Sequence, residues 1–333
     1  MNPITSDAMD HATVHPSSAG LNRLPHFVIG GLAKSGTSSV YQYLGQHPQI
    51  FLSPIRVTNF FGLGEQPAPT YGGPVSTRTV YAPTLPHFHA LFADAKHEIA
   101  FGEGSSFFNF TRRAAERMHH YIPNVRMIVL LRQPAEKAYS QYLYARRVGW
   151  EPESAFQAAW DDESRRLSES WFPFLRYRES SLYAEKLGVF FDLFSPDQIQ
   201  VSLFDDFRRN PTKVVRELYR FLGVDPDFEP DTTVNRNPAC VGLWPWLRSP
   251  HNAKMARVWR LIPARLRKKL FLHMSRINTM PSVLDAPLRM KLTAEFRSDI
   301  LLTQSIIGKD LSSWLDTSDR PNASQRRNPA DLL

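Results

Sequence analysis

The stretch Phe27-Val-Ile-Gly-Gly-Leu-Ala-Lys34-Ser35-Gly36-Thr37-Ser38-Ser39-Val40 carries the most informative local pattern in this 333-residue sequence. An apolar run, a turn of small residues and a following helical segment indicate a buried strand, a tight turn and a helix that begins near Ser38. Such a turn directs backbone N–H groups, the helix N-terminus and a lysine toward one point, an arrangement that binds phosphate-like anions. Hydroxyl groups supply further donors in the same turn, namely those of Ser35, Thr37, Ser38 and Ser39.

The same turn differs from the phosphate loop of nucleotide kinases and NTPases. In that loop the lysine directly follows the last glycine, whereas Lys34 stands two residues before Gly36. An NTPase also needs an acidic magnesium ligand at the end of a second strand, whereas the apolar run of residues 125–131 is followed by Arg132. A strand, glycine-rich turn and capped helix also occur in sheets that bind nothing, but the hydroxyl residues and lysine favour an anion site that uses protein groups and no metal.

Two further apolar runs, residues 125–131 and 199–204, indicate buried strands, and residues 99–102 indicate a weaker fourth strand. Each of the main runs precedes a helical segment, which is typical of parallel βα units. The helix after residue 204 has a cap at Asn210, a proline at its first turn and a stop at Gly223. The segment from Asn59 to Leu91 is rich in Pro and Gly, and we expect it to be a long excursion near the active face and not part of the core. The sequence predicts an α/β fold.

The first loop resembles that of sulfotransferases that use 3′-phosphoadenosine 5′-phosphosulfate (PAPS), in which a Lys-x-Gly-Thr-[Ser/Thr] turn follows the first strand; here it reads Lys34-Ser35-Gly36-Thr37-Ser38. A second family signature is a strand that ends in Arg, a Pro at the next helix start and a Ser eight residues after the Arg. These are Arg132, Pro134 and Ser140. The resemblance implies a P-loop-like, three-layer domain with a parallel sheet flanked by helices. It also implies that the Lys34 turn, continued by Ser39, holds the 5′-phosphosulfate, and that Arg132 and Ser140 hold the 3′-phosphate.

The resemblance covers residues 25–316 and implies in-line transfer of a sulfuryl group to an acceptor hydroxyl or amine, with Lys34 beside the bridging oxygen. Shorter matches include Asn59-Phe60-Phe61, Asn210-Pro211 and Phe221-Leu222-Gly223. The chain also departs from the family. A Lys-Glu pair, whose Glu acts as general base, is replaced by Arg56 and Val57. A later Glu-Lys-Ser/Thr segment appears as Glu103-Gly104-Ser105, and Phe204 replaces a Tyr.

The sequence alone therefore does not identify the general base. Glu103 is the first candidate, because it follows a short strand that should end near the donor; its alternative role is a capping or salt-bridging carboxylate. His87 and His89 are second candidates within the Pro- and Gly-rich excursion. A positioned base contributes typically about 10²–10⁴-fold to the rate, so its identity matters for whether the chain turns over.

The formal net charge of +8 is unevenly distributed. Residues 232–284, the basic block, contain ten Lys and Arg and no Asp or Glu, so the rest of the chain is slightly acidic. The block's Trp and Arg residues are compatible with nucleic acid, but its apolar residues lie at helical spacing, which favours core packing. We expect amphipathic helices there, with peripheral membrane contact as another use. The resemblance implies that part of the 3′-phosphate site comes from the segment after Phe221-Leu222-Gly223, where Arg236 and Arg248 are the candidates.

The remaining features favour a cytoplasmic enzyme. Cys240 stands alone, so no internal disulfide forms and no cysteine-rich zinc site exists. Residues 1–19 contain no Lys or Arg and no apolar core, unlike a signal peptide or anchor. We expect tails at residues 1–24 and 317–333 around one domain at residues 25–316. The acceptor could be a carbohydrate, lipid or small molecule; the alternatives are a PAPS-binding relative without catalysis, or a nucleic-acid binder.

Overall fold

The structure is a computed structural model that describes residues 23–64, 69–75, 83–105, 111–233, 240–242, 279–281 and 283–316. The predicted tails lie outside these ranges, apart from Arg23 and Leu24. Most of the basic block, including its expected helices, Arg236 and Arg248, also lies outside the described residues. Within the described ranges, no helix is long and apolar enough to cross a bilayer.

A parallel sheet of five strands organises the described part of the chain, in the order β2-β3-β1-β4-β5. Its strands are β1 (Phe27–Gly31), β2 (Ile50–Leu52), β3 (Ala100–Glu103), β4 (Arg126–Leu131) and β5 (Ile199–Leu203). A separate antiparallel pair joins β6 (Cys240–Gly242) to β7 (Thr279–Pro281). The parallel sheet confirms the predicted α/β class.

The predicted central strands are all present, but some of them begin or end at residues other than those predicted. Phe204 begins a helix instead of ending β5. The segment expected to be a weak strand forms β3, which pairs with both β1 and β2 inside the sheet. Sequence analysis missed β2, because three residues carry too little periodicity to separate a strand from a loop.

Helices lie between and after the strands, and they cover both faces of the sheet. They are α1 (Thr37–Leu44), α2 (Phe60–Leu63), α3 (Leu85–Ala90), α4 (Arg112–Tyr121), α5 (Pro134–Arg147), α6 (Phe156–Asp161), α7 (Glu163–Ser168), α8 (Ala184–Leu193), α9 (Phe204–Arg209), α10 (Pro211–Leu222), α11 (Ala286–Glu295), α12 (Arg297–Ile307) and α13 (Ser312–Leu315).

Alternation along β1 and β4 divides the core into two layers. Phe27 and Ile29 of β1 pack with buried residues of α1 and α10, whereas Val28 packs on the other face with residues of α4, α5 and α8. Burial of each large apolar side chain contributes about 1.5–3 kcal/mol, so the sheet is stabilised from both sides. The result is the expected three-layer arrangement of helices, sheet and helices.

The segment from Asn59 to Leu91 contributes to the core, contrary to the prediction from its composition. Phe60, Phe61 and Phe88 are fully buried, and the rings of Phe60 and Phe88 stack with their centroids 4.2 Å apart. Prolines and glycines set the turns of this segment, but aromatic residues between the turns fill the core. The prediction that the segment lies outside the core is therefore wrong for its described residues.

The strand order reverses direction between β1 and β4. From β1 the chain crosses to β2 at one edge of the sheet, whereas from β4 it crosses to β5 at the other edge. In open parallel sheets a crevice forms at such a point, outside the carboxyl ends of the two strands, and ligands bind there. The Lys34 turn follows β1 and Arg132 follows β4, so both predicted anion-binding segments lie at this crevice.

Candidate active site

The turn after β1 has a backbone that only certain residues tolerate. Lys34 has a φ of 71° and Gly36 a φ of 95°, both in the left-handed region. A Cβ atom on Gly36 would lie 3.2 Å from the Phe204 ring, so the glycine is required by conformation and by space. The Ser35 N–H donates to the Leu32 carbonyl oxygen at 3.2 Å and closes the turn.

The hydroxyl residues of this turn take different positions. Ser35 is fully buried, and its Oγ has no hydrogen-bond partner within the described ranges. Thr37 is also buried and opens α1, while Ser38 is half-buried. Ser39 directs its hydroxyl to Tyr43, one turn further along α1. A buried hydroxyl without a partner is costly, so Ser35 supplies a donor that fits an anion held in the turn.

Arg132 lies beside the Lys34 turn, as the two signatures require. Its Nη1 is 3.5 Å from the Lys34 carbonyl oxygen, and its guanidinium lies over the Phe204 ring, 4.7 Å from the centroid. Nη2 forms an ion pair with Glu136 at 3.2 Å. Nε is buried and makes no hydrogen bond to any described group. Arg132 thus retains donor capacity at the crevice between β1 and β4.

Ser140 lies on α5, the helix that begins two residues after Arg132. Pro134 opens this helix as predicted, and the Gln133 side chain caps it by accepting from the Glu136 N–H at 2.9 Å. Ser140 is buried and lies about 9 Å along the axis from the helix start. The structure therefore brings Lys34 and Arg132 into direct contact and places Ser140 on the adjoining helix.

Tyr144 is a site residue that the sequence analysis missed. The Lys34 Nζ lies over its ring, 4.6 Å from the centroid. Tyr144 stands four residues after Ser140, so both occupy the same face of α5. That spacing was readable in the sequence, but a tyrosine at helical spacing most often belongs to the core, and nothing local pointed to the lysine.

Charged groups around Arg132 form a connected set. Glu136 pairs with Arg132 and lies 3.6 Å from Arg289 Nε on α11. Burial and the nearby Glu136 raise the pKa of Asp205, while Arg208 and Arg132 lower it. Glu136 thus links Arg132 on one side to Arg289 on the other.

Glu103 lies at the carboxyl end of β3 and is fully buried. Its Oε2 accepts hydrogen bonds from Thr58 Oγ1 at 2.9 Å, from the Ser105 N–H at 3.2 Å and from Ser105 Oγ at 2.5 Å. Burial of the Tyr41 hydroxyl, and to a smaller extent the charge of the nearby Glu103, raise the pKa of Tyr41 above its usual value. The carboxylate thus fastens the loop after β2 to the end of β3, whatever part it takes in catalysis.

Positions 56 and 104, at which the sequence departs from the family pattern, are in contact. A Cβ atom on Gly104 would lie 2.7 Å from the Tyr41 ring and 3.2 Å from Arg56 Cγ. The Gly104 N–H also donates to the Arg56 carbonyl oxygen at 3.0 Å. The side chains of Arg56 and Tyr41 therefore occupy the space that a lysine at position 104 would need.

The second-choice bases, His87 and His89, lie on α3. His87 Nδ1 is 2.7 Å from Thr84 Oγ1 at the start of that helix, and burial lowers the pKa of His89. Phe88 between them packs in the aromatic core. No described group of three His, Cys, Asp or Glu side chains is arranged to hold a metal ion.

The parallel sheet thus carries the Lys34 turn after β1 and Arg132 after β4, side by side at the carboxyl ends of the two strands. A family model described as "Sulfotransferase family" matches residues 25–230, and the chain belongs to that family. A solved structure of a sulfotransferase from Alicyclobacillus acidocaldarius superposes with a TM-score of 0.69 at 29% identity, covering 88% of this chain and all of the other.

Curated relatives include a bifunctional heparan sulfate N-deacetylase/N-sulfotransferase 3 from Homo sapiens, 24% identical over 67% of this chain and 25% of its own length. Another is the membrane-associated sulfotransferase kil1 from Dictyostelium discoideum, 29% identical over 40% of this chain and 26% of its own. The chain thus spans about a quarter of the length of these relatives.

Proposed function

We propose that this sulfotransferase takes its sulfuryl group from PAPS and delivers it to a hydroxyl or amine of a carbohydrate, lipid or small-molecule acceptor. The observation that carries the proposal is the contact between the Lys34 turn and Arg132 at the crevice between β1 and β4. The family membership supports the same donor.

The residues present fit a doubly anionic donor. Ser35 Oγ and Arg132 Nε are buried polar atoms without described partners, and both lie in the segments that would face the two phosphate ends. Lys34, Ser35, Gly36, Thr37, Ser38 and Ser39 would hold the phosphosulfate end. Arg132 and Ser140 would hold the 3′-phosphate, with the forked guanidinium and the hydroxyl addressing one group.

When bound, the donor supplies the sulfuryl group and a phosphate leaving group. The chain's own contribution is then to position the reactants and to stabilise charge that develops on the leaving oxygen, a task for the Lys34 ammonium. Glu103 is our candidate to remove the acceptor proton, since Val57 cannot. Its present hydrogen bonds to Thr58 and Ser105 would have to loosen when an acceptor binds.

Carbohydrate is the acceptor class to test first, because the names of several curated relatives specify heparan sulfate. The direct experiment is a labelled-sulfate transfer screen with PAPS against glycan, lipid and phenolic acceptors. Transfer to any class supports the proposal and identifies the acceptor. Binding of adenosine 3′,5′-bisphosphate, measured by calorimetry, shows independently whether the donor site works.

A second candidate is a PAPS-binding relative that no longer catalyses transfer. Val57 at the position of the family base, together with the complete burial of Glu103, favours this alternative. Tight binding of the bisphosphate with no transfer to any acceptor class would select it. Nucleic-acid binding through the basic block stays an alternative that concerns residues outside the described ranges.

A further inference from the structure

The ring of Tyr144 lies against the ammonium group of Lys34, the lysine on which the proposed mechanism depends most. Lys34 leaves the turn after β1 with a left-handed backbone, and its Nζ reaches the Tyr144 ring on α5 at 4.6 Å from the centroid. The contact joins the two segments that follow β1 and β4. It also directs the lysine along the face of α5 that carries Ser140.

The Tyr144 ring is held firmly by its surroundings. It meets the rings of Trp150 and Phe174 edge-on, with centroids 5.9 Å and 5.5 Å away, and both partners are largely buried. The backbone N–H of Trp150 donates to the Ala145 carbonyl oxygen at 2.9 Å, which holds this aromatic group at the end of α5. A ring fixed in this way offers a defined resting place for an ammonium group, unlike a flexible surface side chain.

We propose that Tyr144 is a positioning residue that holds the Lys34 ammonium at the crevice by a cation–π contact. The negative face of an aromatic ring attracts a cation, most strongly where water is excluded. A lysine confined in this way loses less conformational freedom when it reaches the leaving oxygen than one that samples solvent. The catalytic part of this inference rests on the proposed function, whereas the contact itself does not.

A second cation lies over the same ring and has to be separated from the first. The Arg147 guanidinium is 5.1 Å from the Tyr144 centroid. If the ring served only Arg147, removing that arginine would have the same effect as removing the ring. The Arg147→Gln variant therefore belongs in the experiment.

The contact can be observed without any turnover. In protein labelled with ¹³C at lysine Cε, the Lys34 signal, assigned by its loss in Lys34→Arg, should lie upfield because of the ring current of Tyr144. We expect the shift to persist in Tyr144→Phe and to vanish in Tyr144→Leu. A Lys34 signal at the ordinary lysine position in the wild type, or one that Tyr144→Leu leaves unchanged, would overturn the inference.

Kinetics then test the role. Tyr144→Leu should lower kcat by roughly 3- to 30-fold, with a smaller change in donor KM, while Tyr144→Phe and Arg147→Gln stay within about twofold of the wild type. Tyr121→Leu is the matched control, because it also removes a tyrosine ring that lies under a cation. The Arg117 guanidinium is 5.2 Å from the centroid of the Tyr121 ring, and both residues belong to α4. Equal losses in Tyr144→Phe and Tyr144→Leu would contradict positioning by the ring.

The two readouts separate the inference from the proposed function. An upfield Lys34 signal in a protein that transfers no sulfate would uphold the contact and defeat the function. Transfer by a protein whose kcat is unaffected by Tyr144→Leu would uphold the function and defeat the role of Tyr144. Thermal melting of each variant verifies that it is folded.

Discussion

At the scale of single residues, Glu103 combines two roles that one substitution can separate. Glu103→Gln keeps an acceptor oxygen for Thr58 and Ser105 but cannot take a proton. We expect kcat to fall by about 10²-fold or more, with the affinity for adenosine 3′,5′-bisphosphate unchanged, because a general base contributes about that much.

Thr58→Val is the control for Glu103, since it removes one hydrogen bond to the same carboxylate and leaves the carboxylate in place. Its kcat should fall much less than that of Glu103→Gln. If the two variants lose the same activity, or if Glu103→Gln retains kcat within fivefold, the carboxylate only fastens the loop after β2 and the base lies elsewhere.

Gly36 is the second residue whose substitution is informative. In Gly36→Ala, the left-handed backbone costs about 1–2 kcal/mol, and the new Cβ atom meets the Phe204 ring at 3.2 Å. We expect a lower melting temperature and weaker binding of adenosine 3′,5′-bisphosphate, measured by calorimetry.

Gly308→Ala provides the matched control for Gly36. Gly308 has a φ of 61°, and a Cβ atom there meets nothing within 4 Å. Gly308→Ala therefore has only the backbone cost and should lose less stability than Gly36→Ala, and only Gly36→Ala should weaken bisphosphate binding. Equal bisphosphate affinity in both variants would show that the turn after β1 does not hold the donor.

At the scale of elements, the two ends of α10 are set by residues at and beside the helix termini. The Asn210 side chain accepts from the Lys213 N–H at 3.0 Å, Pro211 opens the helix and Gly223 ends it in the left-handed region. Asn210→Ala should lower the free energy of unfolding by about 1 kcal/mol, measured by urea denaturation. Asn210→Ser keeps a capping oxygen and should lose less; a loss equal to that of the alanine variant would contradict the capping role.

Inside α5, a buried lysine makes stability depend on pH. Lys137 donates to the Ser180 carbonyl oxygen at 2.7 Å and to Ser180 Oγ at 2.9 Å, and burial lowers its pKa well below the usual value. Between that lowered pKa and the ordinary lysine pKa, the unfolded chain binds more protons than the folded one. Stability should therefore rise as the pH increases through this window.

The measurement is urea denaturation at a series of alkaline pH values, compared with Lys137→Met. The wild type should gain stability relative to the methionine variant as the pH rises toward the usual lysine pKa. A constant difference between the two proteins across that range would show that Lys137 stays charged in the folded state.

At the scale of the whole molecule, sequence reasoning reached the α/β class, the central strands and the two anion-binding signatures. It could do so because buried parallel strands are short apolar runs and because Lys34, Gly36 and Arg132 stand beside them. The aromatic packing of residues 59–91 and the contact of Lys34 with Tyr144 were missed, since both depend on segments that are distant in sequence. The cytoplasmic location stays a prediction.

The arrangement of the sheet explains why the two signatures lie together. Parallel strands place all their carboxyl ends at one edge, and the reversal between β1 and β4 brings the Lys34 turn and Arg132 together at the point where open sheets bind ligands. Gln133, at the start of α5, donates to Thr293 Oγ1 of α11 at 2.8 Å, so the C-terminal helices also brace this edge. The proposed donor site thus depends on the fold and not on one loop alone.

The most direct test of the account is sulfate transfer from labelled PAPS by Lys34→Ala, with the exposed Lys291→Ala of α11 as control. The account predicts that the wild type and Lys291→Ala transfer sulfate to the acceptor found in the screen. It predicts that Lys34→Ala, folded by thermal melting, transfers none above background. Near-normal turnover by Lys34→Ala would contradict the role assigned to the turn after β1 and with it the proposed mechanism.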